Sequence, residues 1–560
     1  MKNHINIKQN LANFQLVSFG RVDYVIALIL VIITAFLCVG KMDSGHNWGG
    51  DFSGYIAQGI ALVQGTTEQY ISENTLMMDK CDWLYGPYAY PWGFPLFIAI
   101  IYKIFGFNLV AFKAINIVCY AIFVGIFYIF CAKRLPRIYA LIATLFFAIN
   151  PSMTAFVANN VLSDVSFLLF GFIALIILAK LFCDFGHSSS LADGDKGGGC
   201  NTQKNNDAKF NNNNSTHPLT PSAREGEFHG LCIAIFGGVF MLFASLIRMN
   251  GFVILCALIA MHGILLAKRF APQIFKIRAL EFLERVHSPY PLHIHAIPYI
   301  IFALGFLVVA LHLSSGGSGH FSEIANTNAK IIFHHIGYYV KTFGDFFVAE
   351  KAHKFLRIFI LLSVPLIYLG IRENLKGANA SENIFYVVFV CGFMLLLLLW
   401  IGTQGIRFVY LVLPFAVFWG AKGLIYLNGK KALFGRIMSV LLAFVLAYFA
   451  FGAKNISFTH KVSTSGAYTK EAREVWDFIK QNTPQKAVIL FHKPRVLYLN
   501  TGRIAFASNN IARFDEVDFV LWEVSLWGGY GGINIDSSEF IERTNLIFQN
   551  AQFRLFRVKK

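Results

Sequence analysis

Four charged residues flank long apolar segments of the sequence, where their side chains could do chemistry. Two are acids, Asp51 in GGDFSGYIAQGIALVQG and Asp164 in NNVLSDVSF, and two are arginines, Arg248 in SLIRMNG and Arg407 in TQGIRFVYLVLP. A carboxylate at the edge of a bilayer can accept a proton from a hydroxyl group. The forked donors of arginine suit a phosphate. If the fold places these residues together, they predict a base beside an anion-binding site.

Each of these residues also has a structural interpretation, which the sequence leaves open. Asp51 could cap the helix that follows it, and Ser163 or Asp164 could cap the next apolar segment, because both residue types are favoured caps. Arginines at a membrane interface commonly extend toward lipid head groups. Capping does not exclude a role of Asp51 as a base. Two arginines facing two acids favour the binding of an anionic group.

The composition indicates that these residues stand on a membrane protein. Of the 560 residues, 56% are hydrophobic and 14% are charged, and the mean hydropathy is +0.55. A soluble protein has about 25% charged residues, so this chain has too few to cover a water-facing surface. Apolar blocks such as Asp23–Gly40 and Phe385–Gly402 approach the ~20 residues that cross a bilayer. The sequence therefore predicts an all-α polytopic membrane domain.

The net charge of +17 does not point to a nucleic-acid partner, because the basic residues sit in short clusters between apolar blocks. This is the positive-inside pattern of cytoplasmic loops. The nine cysteines form no CxxC pair and the histidines show no HExxH spacing, so neither a disulfide framework nor a metal cluster is predicted. Without a Walker A or GxGxxG motif, a nucleotide-using enzyme has no support.

The positive-inside rule also predicts the topology. The basic N-terminus is expected in the cytoplasm, and a first outer loop is expected at 41–107. Within it, the residues after Asp51 form an amphipathic pattern that predicts a helix in the membrane surface. Trp92–Gly106 is too short to span the bilayer. If it did span, the later basic clusters would fall on the outside, against the positive-inside rule. About eleven spans result, near 22–40, 108–131, 138–156, 164–182, 230–247, 251–267, 296–313, 355–370, 384–402, 407–426 and 433–453, with the C-terminus outside.

Two soluble segments interrupt or follow the membrane domain, which is predicted at 1–454. Residues 184–229 are rich in glycine and asparagine, which predicts a disordered cytoplasmic linker. Residues 455–560 predict a small α/β domain on the outer face. Its expected elements are a helix at Lys470–Gln481, strands at Ala487–Phe491, Val496–Leu499 and Phe519–Val524, a helix at Ser537–Gln549 and a strand at Phe553–Val558.

In order and sidedness, these motifs resemble integral-membrane glycosyltransferases with the C-type fold. The nearest group is that of dolichyl-phosphate-mannose protein mannosyltransferases and aminoarabinose transferases. The likeness covers most of the chain and includes the four segments above, the juxtamembrane YPWGFPLFIAIIYKIFG and the C-terminal KEAREVWDFIKQNTPQKAVILF. The chain departs from the family where Phe52 follows Asp51, since a second acid is frequent there. It departs again at Pro91-Trp92, where the family has two prolines.

The resemblance implies inverting transfer of a hexosyl or pentosyl group from a polyprenyl-phosphate-linked donor. Asp51 would be the base on the acceptor hydroxyl, and Arg407 and Arg248 would bind the donor phosphate. Asp164 would be a second acidic position for acceptor or metal, with Tyr55 and Tyr410 in support. No metal ligand is assigned, and Mg²⁺ or Mn²⁺ remains open because metal use varies in the family.

The resemblance also implies partners and a location. The acceptor would be an envelope glycan, lipid or protein, and the enzyme would lie in the plasma membrane, which in bacteria is the inner membrane. A secondary transporter or flippase of an envelope lipid or glycan precursor is the alternative. Transporters place charge near the bilayer midplane and use broken helices in repeated halves. Here the charges gather at the outer ends of spans, and no internal repeat is visible.

Overall fold

The computed structural model describes residues 19–82, 86–182, 221–271, 273, 280–313, 327–346, 353–377, 379–400, 402–403, 405–453, 466–524 and 533–560. The first part of the membrane domain contains helices α1 Arg21–Val39, α2 Gly50–Gln64, α3 Thr67–Asp79, α4 Gly93–Phe105, α5 Leu109–Ala132, α6 Arg137–Ala148, α7 Pro151–Asn159 and α8 Asp164–Leu178. The second part contains α9 Pro221–Ile247, α10 Phe252–Phe270, α11 Leu292–His312, α12 Ala329–Asp345, α13 His353–Asn374, α14 Ala380–Leu399, α15 Leu413–Lys430 and α16 Ala432–Ala453.

The helices confirm a polytopic all-α membrane domain. Within the described residues, eight helices are long and apolar enough to cross a membrane, or nine if α6 and α7, bent by 47° at their junction, form one span. The predicted spans near 355–370 and 407–426 correspond to α13 and α15, which do not meet that criterion. The span predicted from 407 begins only at Leu413, because Pro414 stands in the first turn and a short 3₁₀ turn precedes it.

Helices α13 and α15 pack closely against each other through glycine. A Cβ added at Gly423 would lie 2.0 Å from the Leu366 carbonyl oxygen, and one at Gly370 would lie 1.8 Å from the Trp419 carbonyl oxygen. Small residues of this kind let helix backbones approach in membranes, where lipid offers no hydrophobic driving force. This contact fixes the helix that follows Arg407.

The first outer loop folds into α2, α3 and α4. Helix α4 has 13 residues, so it is roughly 20 Å long and too short for a ~30 Å hydrocarbon core, as predicted. Residues 52–59 of α2, a helix expected in the membrane surface, are all buried by protein. A Cβ at Gly59 would lie 2.9 Å from the Pro95 carbonyl oxygen on α4. Helix α2 is thus enclosed by protein, and its apolar residues pack into the protein core.

Charged pairs hold the ends of the helices together. Arg137 at the start of α6 donates two hydrogen bonds to Asp23 on α1, at 2.8 and 2.9 Å. Arg134 bonds Glu382 at the start of α14. Arg134 and Arg137, basic residues between apolar segments, thus tie the region between α5 and α6 to α1 and α14.

The C-terminal domain contains α17 Lys470–Asn482, α18 Pro494–Thr501 and α19 Ser538–Arg543, with strands β1 Val488–Leu490, β2 Ile504–Phe506, β3 Phe519–Glu523, β4 Thr544–Gln549 and β5 Phe553–Val558. The strands form one sheet in the order β2-β1-β3-β5-β4. Strand β1 is parallel to β2 and β3, whereas β5 is antiparallel to β3 and β4. The predicted small α/β domain is confirmed as a fold.

Two element predictions in this domain are wrong. Residues 496–499 belong to helix α18, not to a strand, because Pro494 presets its first turn and Gly502, at φ +70°, ends it. The helix predicted at 537–549 ends at Arg543, and residues 544–549 form β4. Pairing with β5 outweighs the local helical preference.

The predicted linker at 184–229 falls mainly on residues 184–220, which lie outside the described residues. Its last nine positions, 221–229, are the beginning of α9. This segment is polar, and its sequence is like that of a linker because the apolar part of α9 starts only after it.

Candidate functional site

The structure places Asp51 in a hydrogen-bonded position that is not a helix cap. Gly49 is the N-cap of α2. Asp51 Oδ1 accepts a hydrogen bond of 2.8 Å from the Tyr90 hydroxyl, and Asp51 Oδ2 lies 3.2 Å from Arg407 Nη2. The capping interpretation of Asp51 is therefore wrong, and its carboxylate joins the first outer loop to the turn before α15.

The Asp51 carboxylate is ionised at neutral pH and can be reached from outside the protein. Burial by itself would raise the pKa of Asp51, but Arg407, the Tyr90 hydroxyl and Arg495 together lower it below its usual value. The Asp51 side chain is 35% exposed and that of Arg407 is 23% exposed. Both side chains of the pair are thus partly exposed, and a hydroxyl could approach the carboxylate.

The second acid, Asp164, forms a more deeply buried pair with Arg248. Asp164 Oδ1 lies 2.9 Å from Arg248 Nη1, and the side chains are 1% and 15% exposed. Ser163, one of the two expected caps, is the N-cap of α8, but its side chain makes no capping hydrogen bond, and Asp164 is already inside the helix. Asp164 is enclosed, whereas part of the Arg248 side chain stays exposed.

Ser163 and Tyr55 complete the second pair. Arg248 Nη1 lies 3.2 Å from Ser163 Oγ, which is 2.7 Å from the Tyr55 hydroxyl. The Tyr55 ring also packs on the Tyr90 ring, with centroids 4.1 Å apart. Tyr55 therefore links the Asp164–Arg248 pair to the tyrosine that holds Asp51.

Both arginines lie against one aromatic ring. The Cζ atoms of Arg248 and Arg407 are 4.7 and 5.3 Å from the centroid of Phe408, within the range of cation–π attraction. The predicted residues Asp51, Asp164, Arg248, Arg407 and Tyr55 thus form one cluster. We call it the acid–arginine cluster.

Tyr410 occupies a different position. Its ring is buried against Phe156, with centroids 5.4 Å apart, and its backbone N–H donates to the Arg407 carbonyl oxygen. Tyr410 therefore supports the backbone turn that carries Arg407.

The cluster includes residues that the sequence did not reveal. Arg495 on α18 is only 4% exposed, and its Nη1 donates to the Tyr90 hydroxyl at 2.7 Å. It also donates to Asn74 Oδ1 at 3.0 Å and to the Pro87 carbonyl oxygen. The only available signal is the helix start KPR, which stands just before the segment predicted as a strand.

A buried lysine positions the loop that leads to Asp51. Lys113 on α5 is fully buried and donates to Asp43 Oδ1 at 2.6 Å, to the Asp43 carbonyl oxygen at 2.9 Å and to the Gly45 carbonyl oxygen. Two residues before α2, Trp48 packs edge-on against Trp476 and Phe553 of the C-terminal domain. These contacts hold the start of α2 between the membrane domain and the C-terminal domain.

The acids of the cluster are paired with hydrogen-bond donors rather than gathered as a set of metal ligands. Both Asp51 oxygens are engaged by Tyr90 and Arg407, and Asp164 Oδ1 is engaged by Arg248. Within the described part of the chain, no group of three or more His, Cys, Asp or Glu side chains could hold a metal ion. The two guanidinium groups have the donors to bind an anion, with the Asp51 carboxylate next to them.

Comparison with solved structures identifies the fold. ArnT from Cupriavidus metallidurans, solved bound to undecaprenyl phosphate, aligns with a TM-score of 0.50 over 95% of this chain and 97% of its own, at 10% identity. The Archaeoglobus fulgidus oligosaccharyltransferase AglB aligns with a TM-score of 0.47 over 89% of this chain and 69% of its own, at 13% identity. No family model matches the chain, and no curated protein matches it. The likeness to ArnT confirms the expected C-type glycosyltransferase fold.

Proposed function

We propose that this protein is an inverting glycosyltransferase. It moves a hexosyl or pentosyl group from a polyprenyl-phosphate donor to an acceptor hydroxyl at the outer face of the membrane. The observation that carries this proposal is the contact between Asp51 and Arg407, whose side chains are both partly exposed. It sets a proton acceptor beside a phosphate-binding group.

In the proposed reaction, Asp51 accepts the proton of the acceptor hydroxyl while the hydroxyl oxygen attacks the anomeric carbon. The bond from that carbon to the phosphate oxygen breaks, and polyprenyl phosphate leaves with the electron pair. Attack from the side opposite the leaving group inverts the anomeric configuration. Arg407 stabilises the charge that develops on the phosphate, which is where fixed cationic donors accelerate a reaction most.

Arg248 and Asp164 have separate parts in this proposal. Arg248 is the second cationic group of the proposed anion site, because it contacts the same Phe408 ring as Arg407. Asp164 is enclosed and bonded to Arg248, so it orients the guanidinium. Tyr55 steadies the same group through Ser163, and Tyr410 supports the Arg407 backbone.

The fold supports the choice of donor. ArnT, which shares the architecture over 97% of its length, was solved bound to undecaprenyl phosphate, and a multi-pass helical body can house a long isoprenoid tail. The proposed acceptors are an envelope glycan, lipid or protein. We place the protein in the plasma membrane, with the N-terminus in the cytoplasm and residues 455–560 outside.

The test is transfer of a radiolabelled sugar from polyprenyl phosphate by the purified full-length protein in lipid vesicles. A set of envelope extracts serves as acceptor. Formation of labelled glycan, lipid or protein with the opposite anomeric configuration supports the proposal. Movement of the labelled donor between leaflets without any transfer product would instead establish the transporter alternative.

A further inference from the structure

The C-terminal domain reaches the proposed catalytic base through a chain of two hydrogen bonds. Arg495 Nη1 lies 2.7 Å from the Tyr90 hydroxyl, which lies 2.8 Å from Asp51 Oδ1. Arginine can only donate hydrogen bonds. The Tyr90 oxygen must therefore accept from Arg495, and its single proton is directed to Asp51 Oδ1.

The surrounding backbone is shaped to fit this chain. A Cβ at Gly54 would lie 2.5 Å from the Tyr90 ring, and a Cβ at Gly86 would lie 3.3 Å from Arg495 Nη1. Gly86 also has φ +117°, a backbone conformation that other residues rarely adopt. Asn74, almost fully buried, fixes the other side of the guanidinium. Four separate segments thus converge on the path from Arg495 to Asp51.

We propose that Tyr90 and Arg495 are positioning residues for Asp51, so that the C-terminal domain completes the active site. Tyr90 occupies Oδ1, which directs the proton of the acceptor hydroxyl to Oδ2, the oxygen beside Arg407. The positive charge of Arg495, passed on by the oriented Tyr90 hydroxyl, keeps Asp51 ionised. This inference rests on the proposed function for its catalytic meaning.

We call the hydrogen-bonded chain from Arg495 through Tyr90 to Asp51 the relay. It acts among several charged groups around Asp51. Arg407 faces it from the turn before α15, Lys493 and Arg495 from the C-terminal domain, and Tyr55 and Tyr90 from the outer loop. Arg407, Tyr90 and Arg495 all lower the pKa of Asp51 against the opposing effect of burial. Loss of the Tyr90 hydroxyl therefore raises the pKa of Asp51, and protonation then begins at a higher pH.

Two changes remove the relay, and two matched changes leave it intact. Tyr90→Phe and Arg495→Gln each break one of its bonds. The control Tyr498→Phe removes a hydroxyl that bonds Glu73, and Arg513→Gln removes a guanidinium that bonds Asp82. Both controls also join the C-terminal domain to the first outer loop, but neither touches Tyr90 or Asp51.

The first measurement is infrared difference spectroscopy of the full-length protein during acid titration. The protonated carboxyl band of Asp51 is assigned by its disappearance in Asp51→Asn. This band should appear at higher pH in Tyr90→Phe and Arg495→Gln than in the wild type, and at the wild-type pH in both controls. An unchanged midpoint in Tyr90→Phe overturns the relay, whether or not the protein transfers sugar.

The second measurement is the transfer rate at about pH 5 and about pH 8 in the same vesicles. A base with a raised pKa loses activity as the pH falls through it, so Tyr90→Phe should lose several-fold more activity at the lower pH. Equal losses of activity at both pH values would show that Tyr90 has only a structural role. No wild-type transfer at either pH would refute the proposed function, while the spectroscopic result still decides the relay.

Discussion

Arg407 Nη2 donates to Asp51 Oδ2 at 3.2 Å, although 356 positions separate the two residues in the sequence. The contact joins the first outer loop to the turn before α15, so the fold holds the proposed base beside the proposed phosphate-binding group. Because both side chains are partly exposed, a donor phosphate could bind Arg407 in the proposed reaction and leave Asp51 Oδ2 to the acceptor hydroxyl. The following predictions test this division of roles.

The first prediction concerns Asp51. Asp51→Asn keeps the size of the side chain but removes its ability to accept a proton, and general-base contributions are typically ~10²–10⁴-fold in rate. We expect sugar transfer to fall by a factor in that range, with thermal stability close to the wild type. Glu68→Gln, an exposed acid in the same outer loop, is the control and should keep full activity. Near-wild-type transfer by Asp51→Asn would end the assignment of the base.

The second prediction concerns Arg407. Lysine keeps the positive charge but offers one compact ammonium group instead of a planar fork. Arg407→Lys should therefore raise the KM for the polyprenyl-phosphate donor and lower kcat, since the phosphate is held less well both when bound and when leaving. Steady-state kinetics with varied donor will separate the two effects. An unchanged donor KM and kcat would exclude Arg407 from the phosphate site.

The third prediction concerns the buried pair of Asp164 and Arg248. Removing one partner of a buried ion pair commonly costs about 3–5 kcal/mol, because the other charge stays buried without compensation. Asp164→Asn should lower the unfolding temperature in detergent more than the double change Asp164→Asn with Arg248→Gln. Additive losses in this cycle would mean that the two side chains do not stabilise each other.

The sequence reveals only those residues of the site that their neighbours in the chain make conspicuous. Asp51, Asp164, Arg248 and Arg407 stand out because a charge beside an apolar block is conspicuous. Arg495 does not, because its partner Tyr90 is 405 positions away and nothing local distinguishes it from other basic residues of a soluble domain.

The same reason explains which elements were predicted correctly. Long apolar blocks identify most membrane helices, since hydropathy is a local property. The pattern of residues 496–499 predicts a strand because four mostly apolar residues fit either structure, and Pro494 decides for the helix. Residues 544–549 become a strand through pairing with β5, a partner that local preference does not show. Errors therefore concentrate where tertiary contacts decide.

The fourth prediction concerns topology. The parity of the spans predicts that residue 200 is cytoplasmic and that the C-terminus is outside. Reporter fusions with alkaline phosphatase and green fluorescent protein at these two points should give opposite signals. The count of spans depends on the short helix α4, whose 13 residues do not reach across a ~30 Å core. The same signal at both points would mean that one span has been counted wrongly.

The last prediction concerns the helix that follows Arg407. A Cβ at Gly423 would lie 2.0 Å from the Leu366 carbonyl oxygen, whereas a Cβ at Gly420 would meet nothing within 4 Å. Gly423→Ala must therefore push α13 and α15 apart, and such overpacking typically costs about 1–3 kcal/mol. Gly420→Ala should be neutral or stabilise the protein by up to about 1 kcal/mol, since alanine is the better helix former.

Thermal unfolding of the two variants in the same detergent provides the comparison. Because α15 begins just after the turn that carries Arg407, Gly423→Ala should also raise the donor KM, while Gly420→Ala leaves it unchanged. Equal stability of the two alanine variants would show that the close approach of α13 and α15 does not hold in the folded protein. A lower stability with an unchanged donor KM would separate this packing contact from the position of Arg407.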